Sequence, residues 1–151
     1  MSTRTTFTKF LPILISSLCC GLPIVAQTAP NTGLLRVQVD GLKSTKGKLV
    51  TRIFRKSDDL FGKPFLEATQ TIDGPTITSE FPDLPFAVYA IMVFQDLNGN
   101  GVLDHNWAHI PAEPLGWSNH WHFGPFTGMP TFEKTKFEFT ENMRTLTISL
   151  R

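Results

Sequence analysis

The chain has 151 residues, 14 Lys and Arg against 13 Asp and Glu, and 41% apolar residues, which suits one globular domain and excludes a disordered tail or a coiled coil. Eleven Gly, eleven Pro and thirteen Phe with only 18% charged residues describe short elements broken by many turns, so an all-β fold is favoured. The near-neutral charge excludes nucleic acid as a partner, because gripping a phosphate backbone needs Lys and Arg clustered on one face.

Residues 1–26 read as an export signal. Arg4 and Lys9 precede an apolar run from Phe10 to Leu22, and Ala26 stands where a signal peptidase would cut. Pro12, Ser16, Ser17, Gly21 and Pro23 interrupt the run, so it is a poor membrane span, and no membrane span is expected in the mature chain. The residues before Cys19 and Cys20 lack the apolar-then-small pattern of a lipid attachment site. Removing 26 residues leaves 125, with neither cysteine and therefore no disulfide, although the expected destination, periplasmic or extracellular, is oxidising. A short linker, 27–32, then leads into a domain expected over 33–151.

Leu35, Val37 and Val39 alternate with Arg36, Gln38 and Asp40, the period-two pattern of a strand with one face in the core. Lys48 to Phe54 reads as a second strand with Leu49, Thr51 and Ile53 on one face, followed by a long loop over Lys56 to Thr69. Thr76 to Phe81 is a short strand, and Asp83-Leu84-Pro85 turns the chain into Phe86 to Phe94. That segment is apolar on both faces, so it predicts a central strand covered on both sides. The last residues read as a hairpin, Thr135, Phe137 and Phe139 pairing with Leu146, Ile148 and Leu150 around a turn near Glu141-Asn142. Six or seven strands predict a single-domain antiparallel β-sandwich of immunoglobulin-like or transthyretin-like type.

Residues 95–130 predict one long loop, and it holds Trp107, Trp117, Trp121, Phe123, Phe126 and all four histidines. So long a loop with this much apolar area is expected to pack over the outer face of the Phe86–Phe94 strand and to carry function. Its sharpest motif is Asp96-Leu97-Asn98-Gly99-Asn100-Gly101-Val102-Leu103-Asp104. Asp96, Asn98, Asn100 and Asp104 alternate as oxygen donors, the Val102 carbonyl can add another, and Gly101 permits the bend, which is the chemistry of a calcium loop. Trp107 stands where an EF-hand has its closing Glu, so Glu113 is the acid expected to complete the shell. The same Asn-Gly pairs also make good turns with no ion.

His105, His109, His120 and His122 leave a copper or zinc site open, though without a tight spacing motif. Gly116-Trp117-Ser118-Asn119-His120 matches a nucleophile elbow only superficially, because the closing Gly is missing.

Four segments together, Leu84 to Ala90, Asp96 to Asp104, Glu113 to Asn119 and Gly128 to Phe132, resemble the secreted bacterial family known as domain of unknown function 2141. Asp96, Asn98, Asn100, Asp104 and Glu113 match its motif, whereas Ala87, Gln95, Leu97 and His109 depart from it. The resemblance implies export and a β-sandwich, and no activity. The sequence as a whole predicts an exported, non-enzymatic binding or accessory module of the envelope with a calcium-organised loop. A periplasmic copper or zinc protein using the histidines, and a small hydrolase using the carboxylates and Ser118, are the alternatives.

Overall fold

The computed structural model describes residues 31–108, 110–124 and 126–151. The signal peptide, most of the linker that follows it and His109 lie outside the described residues. Among the described residues eight strands form in chain order, with one helical turn before the seventh: β1 (Thr32–Asp40), β2 (Lys48–Phe54), β3 (Leu66–Thr71), β4 (Ile77–Pro85), β5 (Val88–Asp96), β6 (Leu115–Trp117), α1 (Phe132–Thr135), β7 (Lys136–Glu138) and β8 (Thr145–Ser149). A short 3-10 turn, Ser118–His120, follows β6.

The strands make an all-β sandwich of two sheets. One has the order β4-β1-β8, and the other runs β3-β2-β5-β6 with β7 also on β5. Leu35, Val37 and Val39 of β1 are fully buried and meet Leu49, Ile53, Ile91 and Val93 of the facing sheet in one apolar core, as their alternation requires. Where that core must accept polar atoms they are paired: the Thr51 and Ser79 hydroxyls bridge the two sheets at 3.0 Å, and Ser79 donates to Gln70. The Tyr89 hydroxyl donates to the Pro85 carbonyl at 3.0 Å, and its burial pushes its pKa up.

β5 is central, as its doubly apolar pattern predicts. Tyr89, Ile91 and Val93 face the inter-sheet core. Ala90, Met92 and Phe94 face a second cluster, capped by Leu103, Leu115, Trp117 and, in part, Trp121 and Phe132. Leu103, Trp121 and Phe132 from the long segment after β5 therefore pack over the outer face of this sheet, while β6 of the same segment joins the sheet itself. Part of it is regular, since Leu115 and Trp117 pair with Phe94 and Met92. Trp107 and Phe126 do not join it and are 94% and 100% exposed.

Three expectations need correction. The stretch read as loop through Thr69 contains β3, an edge strand paired with β2. Its mostly exposed residues show no apolar alternation, so backbone pairing alone makes it a strand. β4 runs on through Asp83 to Pro85, opposite Gly33 and Thr32, where a turn was expected. The C-terminal hairpin does not form: β7 pairs antiparallel with β5 in one sheet, while β8 pairs parallel with β1 in the other. Phe137 and Phe139 reach the inter-sheet core from one side and Leu146, Ile148 and Leu150 from the other. Alternation reports which face of a strand is buried and is silent on its neighbour.

Candidate functional site

The Asp96–Asp104 loop grows from the last residue of β5. Asp96 pairs across the sheet with Lys48 and is 1% exposed, so the core strand fixes its carboxylate at the root of the turn. Its Oδ1 accepts the amide protons of Gly99 at 2.7 Å and Asn100 at 3.2 Å. Oδ2 accepts that of Gly101 at 2.7 Å. The Asn98 and Asn100 side-chain oxygens each accept the amide two residues on, from Asn100 at 3.0 Å and Val102 at 2.7 Å, the local bonding that suits Asn to turns. Their amide nitrogens both donate to the Asp104 carboxylate, Asn98 at 2.6 Å and Asn100 at 3.3 Å.

Glu113 closes the base of the loop from the far side. It is buried, and its Oε1 accepts the Leu97 amide at 2.7 Å while Oε2 accepts the Asp104 amide at 3.2 Å. The structure thus brings Asp96, Asn98, Asn100, Asp104 and Glu113 together, with Glu113 tying the two ends of the loop through their backbone. Val102 is exposed and enters through its amide rather than its carbonyl in this arrangement. Among the described residues no three His, Cys, Asp or Glu side chains gather round one point. His105 lies in a backbone bridge to Pro111, and His122 Nδ1 meets the His120 carbonyl at 3.3 Å.

Two residues that local reasoning missed also hold the loop. Arg52 of β2 donates from Nη2 to the Gly101 carbonyl at 2.8 Å and from Nε to Glu67 at 2.6 Å. The buried Gln95 side chain donates to the Ser44 and Lys46 carbonyls at 3.2 and 2.7 Å, fastening the β1–β2 turn beside the loop. Arg52 lies 49 residues from its loop partner and Gln95 lies 49 from Lys46. No spacing pattern marks such pairs.

Over residues 37–147 the chain matches the model of a family described as uncharacterised proteins conserved in bacteria, domain of unknown function 2141. The chain belongs to this family. No curated protein and no solved structure gives a significant match. Within this family member the loop, Glu113 and the β6 region all fall inside the matched span.

Ser118 is a structural residue. At 1% exposure its Oγ accepts the Ile91 amide at 2.8 Å and donates to the Thr135 carbonyl, joining β5, the 3-10 turn and α1. Ser118→Ala should cost about 2–4 kcal/mol in urea unfolding, since two buried backbone groups lose their partner. A loss under about 0.5 kcal/mol would show that water or a backbone shift replaces the hydroxyl.

Proposed function

We propose that this protein is an exported, non-enzymatic binding or accessory module of the cell envelope whose Asp96–Asp104 loop is organised by calcium. The observation that carries the reading is the convergence of two carboxylates and two side-chain amides on one turn. The Asp104 carboxylate there is held by neutral amide donors, a place that a hard cation would take. An ionised carboxylate oxygen has two acceptor sites, so Oδ2 of Asp96, Oδ1 of Asp104 and both oxygens of Glu113 keep one free beside the bonds they make. Calcium takes six to eight oxygens and accepts carbonyls, amides and water among them. Three crowded acids are therefore not needed for a site of modest affinity, and extracellular calcium levels suit such a site. Export is supported by the charged, apolar and small-residue order of residues 1–26.

Thermal unfolding in chelator and in rising calcium tests the proposal. Calcium at about 100 times its dissociation constant should add about 2.7 kcal/mol, a shift of several degrees. Asp104→Asn is the informative variant because the Asp104 carboxylate accepts only from the side-chain amides of Asn98 and Asn100, which are exposed and can turn to water. It should abolish the calcium shift and leave the melting temperature in chelator nearly unchanged. Identical melting in chelator and in excess calcium would return the loop to a hydrogen-bonded turn.

A further inference from the structure

The segment that follows the Asp96–Asp104 loop carries its aromatic side chains in two different ways. Trp117 is buried on β6 and Trp121 packs against the same apolar cluster, but Trp107 is 94% and Phe126 100% exposed. Neither sits on a slack stretch of chain. Trp107 crowns a turn closed by the His105–Pro111 bridge. In that turn the Asn106 amide donates to the Ile110 carbonyl at 2.9 Å, and the Asn106 side-chain oxygen accepts the Ala108 and Ile110 amides at 2.9 and 3.1 Å. Phe126 lies in a turn where the Thr127 hydroxyl donates to the Gly124 carbonyl at 3.0 Å. The Lys134 ammonium fastens that turn by donating to the Thr127 and Met129 carbonyls at 2.7 and 3.2 Å.

The two turns meet at one cleft. Ile110, three residues after Trp107, and Phe123, three residues before Phe126, both line it, and both are themselves exposed. Six of the nine large apolar side chains exposed among the described residues fall between Val102 and Met129. Single exposed apolar residues are ordinary, whereas a cluster of them marks a contact surface. Charge is missing from the same stretch. From His105 to Phe132 the sequence has no Lys, Arg or Asp, in a chain that is 18% charged. Its one acid, Glu113, is buried, with both oxygens engaged by backbone amides.

We propose that this face docks the protein on a lipid bilayer, with Trp107 and Phe126 entering the boundary between headgroups and acyl chains. Tryptophan suits that depth because its ring is apolar and its N–H is not. A protein partner would have to offer a separate pocket to each protruding ring, whereas acyl chains flow round both. No exposed carboxylate, ammonium or guanidinium of the stretch has to be dehydrated as the turns enter, and the closed turns lose little conformational freedom on insertion. Attachment through anionic headgroups would ask for Lys and Arg at the tips. Without them the binding is hydrophobic and should ignore lipid charge and salt. The proposal takes its setting from the envelope reading above and names the partner there, and it does not require calcium.

The test is flotation of the mature chain from Gln27, which lacks the apolar run of residues 10–22, with vesicles of phosphatidylcholine alone and with phosphatidylglycerol added. Chelator is present throughout, and the pH is 8, above the usual titration range of histidine, since all four histidines lie in this stretch. The protein should float with both vesicles at millimolar lipid, and salt should change little. Trp107→Ala and Phe126→Ala should each weaken partitioning about tenfold and together about a hundredfold. Their melting temperatures should stay unchanged, because neither side chain packs on the fold. Lipids brominated in the acyl chains should quench the protein's fluorescence, and Trp107→Phe should still float but lose most of that quenching. The proposal fails if nothing floats at millimolar lipid, if the double variant floats as well as the parent, or if flotation needs phosphatidylglycerol and is lost in salt. It also fails if vesicles are ignored while sedimentation shows a dimer that the double variant breaks, because the face would then join two copies of this chain. Any of these failures leaves the calcium reading, which melting tests, untouched.

Discussion

Asp96→Ala is expected to lower stability by about 3 kcal/mol and to release the Leu97–Asp104 loop while the two sheets stay folded. Three backbone amides, those of Gly99, Asn100 and Gly101, point at this one carboxylate. Hydrogen bonds to a charged group contribute about 1.5–3 kcal/mol each, but the three donors are exposed, so water would recover part of the loss and bring the sum below three times the lower figure. Asp96→Asn should cost roughly half as much, because one amide oxygen remains to accept while the new NH2 group confronts an N–H. Urea unfolding measures the total, and amide exchange locates it: protection at Gly99 to Gly101 should vanish in Asp96→Ala and persist at Ile91 and Val93. A loss below about 1 kcal/mol would mean that Glu113 and Arg52 hold the loop without its central acceptor.

Glu113 has a second consequence beyond the loop. It precedes Pro114, whose carbonyl accepts the Gln95 amide at 2.9 Å, and Leu115, whose backbone holds Arg151. Within three residues the chain thus ties the loop root, the end of β5 and Arg151.

The parts of this architecture legible in the sequence are those set by burial. Leu35, Val37 and Val39 announce β1 because a half-buried strand must alternate, and the apolar run to Phe94 announces a doubly covered strand, which holds from Tyr89 onward, whereas Ala87 and Val88 face water. The long aromatic segment was legible as a layer over that strand for the same reason. What escaped depends on partners. β3 has no apolar face to report it, and β8 finds β1 instead of β7 because the inter-sheet core accepts its side chains equally from either sheet. In the loop, Asp96 to Asp104 and Glu113 were legible as a cluster of oxygens. That Glu113 would serve the backbone amides of Leu97 and Asp104 was not, since spacing does not distinguish a ligand from a clamp. Arg52, Gln95 and Arg151 act across the fold and leave no local trace.

Gly47→Ala should be among the most damaging single substitutions in the protein, at about 4 kcal/mol, because two penalties fall on one methyl group. Gly47 has φ +77°, a left-handed conformation that costs an alanine about 1–2 kcal/mol. Its missing side chain also faces backbone: a Cβ built there would lie 2.0 Å from the Asp96 carbonyl oxygen and 2.8 Å from Leu97 Cα. No rotamer change relieves such a clash, so either the first residue pair of β2 and β5, Lys48 with Asp96, must part or the loop root must move. Crowding of this kind costs about 1–3 kcal/mol, and more where the obstacle is main chain. The comparison that isolates it is Gly99→Ala. Gly99 also has positive φ, at 78°, but nothing lies within 4 Å of its Cβ position, so it should lose only the conformational part, about 1–2 kcal/mol. Equal losses at the two sites would show that the Asp96 carbonyl yields freely, and the loop root would then not be the rigid anchor that its burial and its three amide bonds describe.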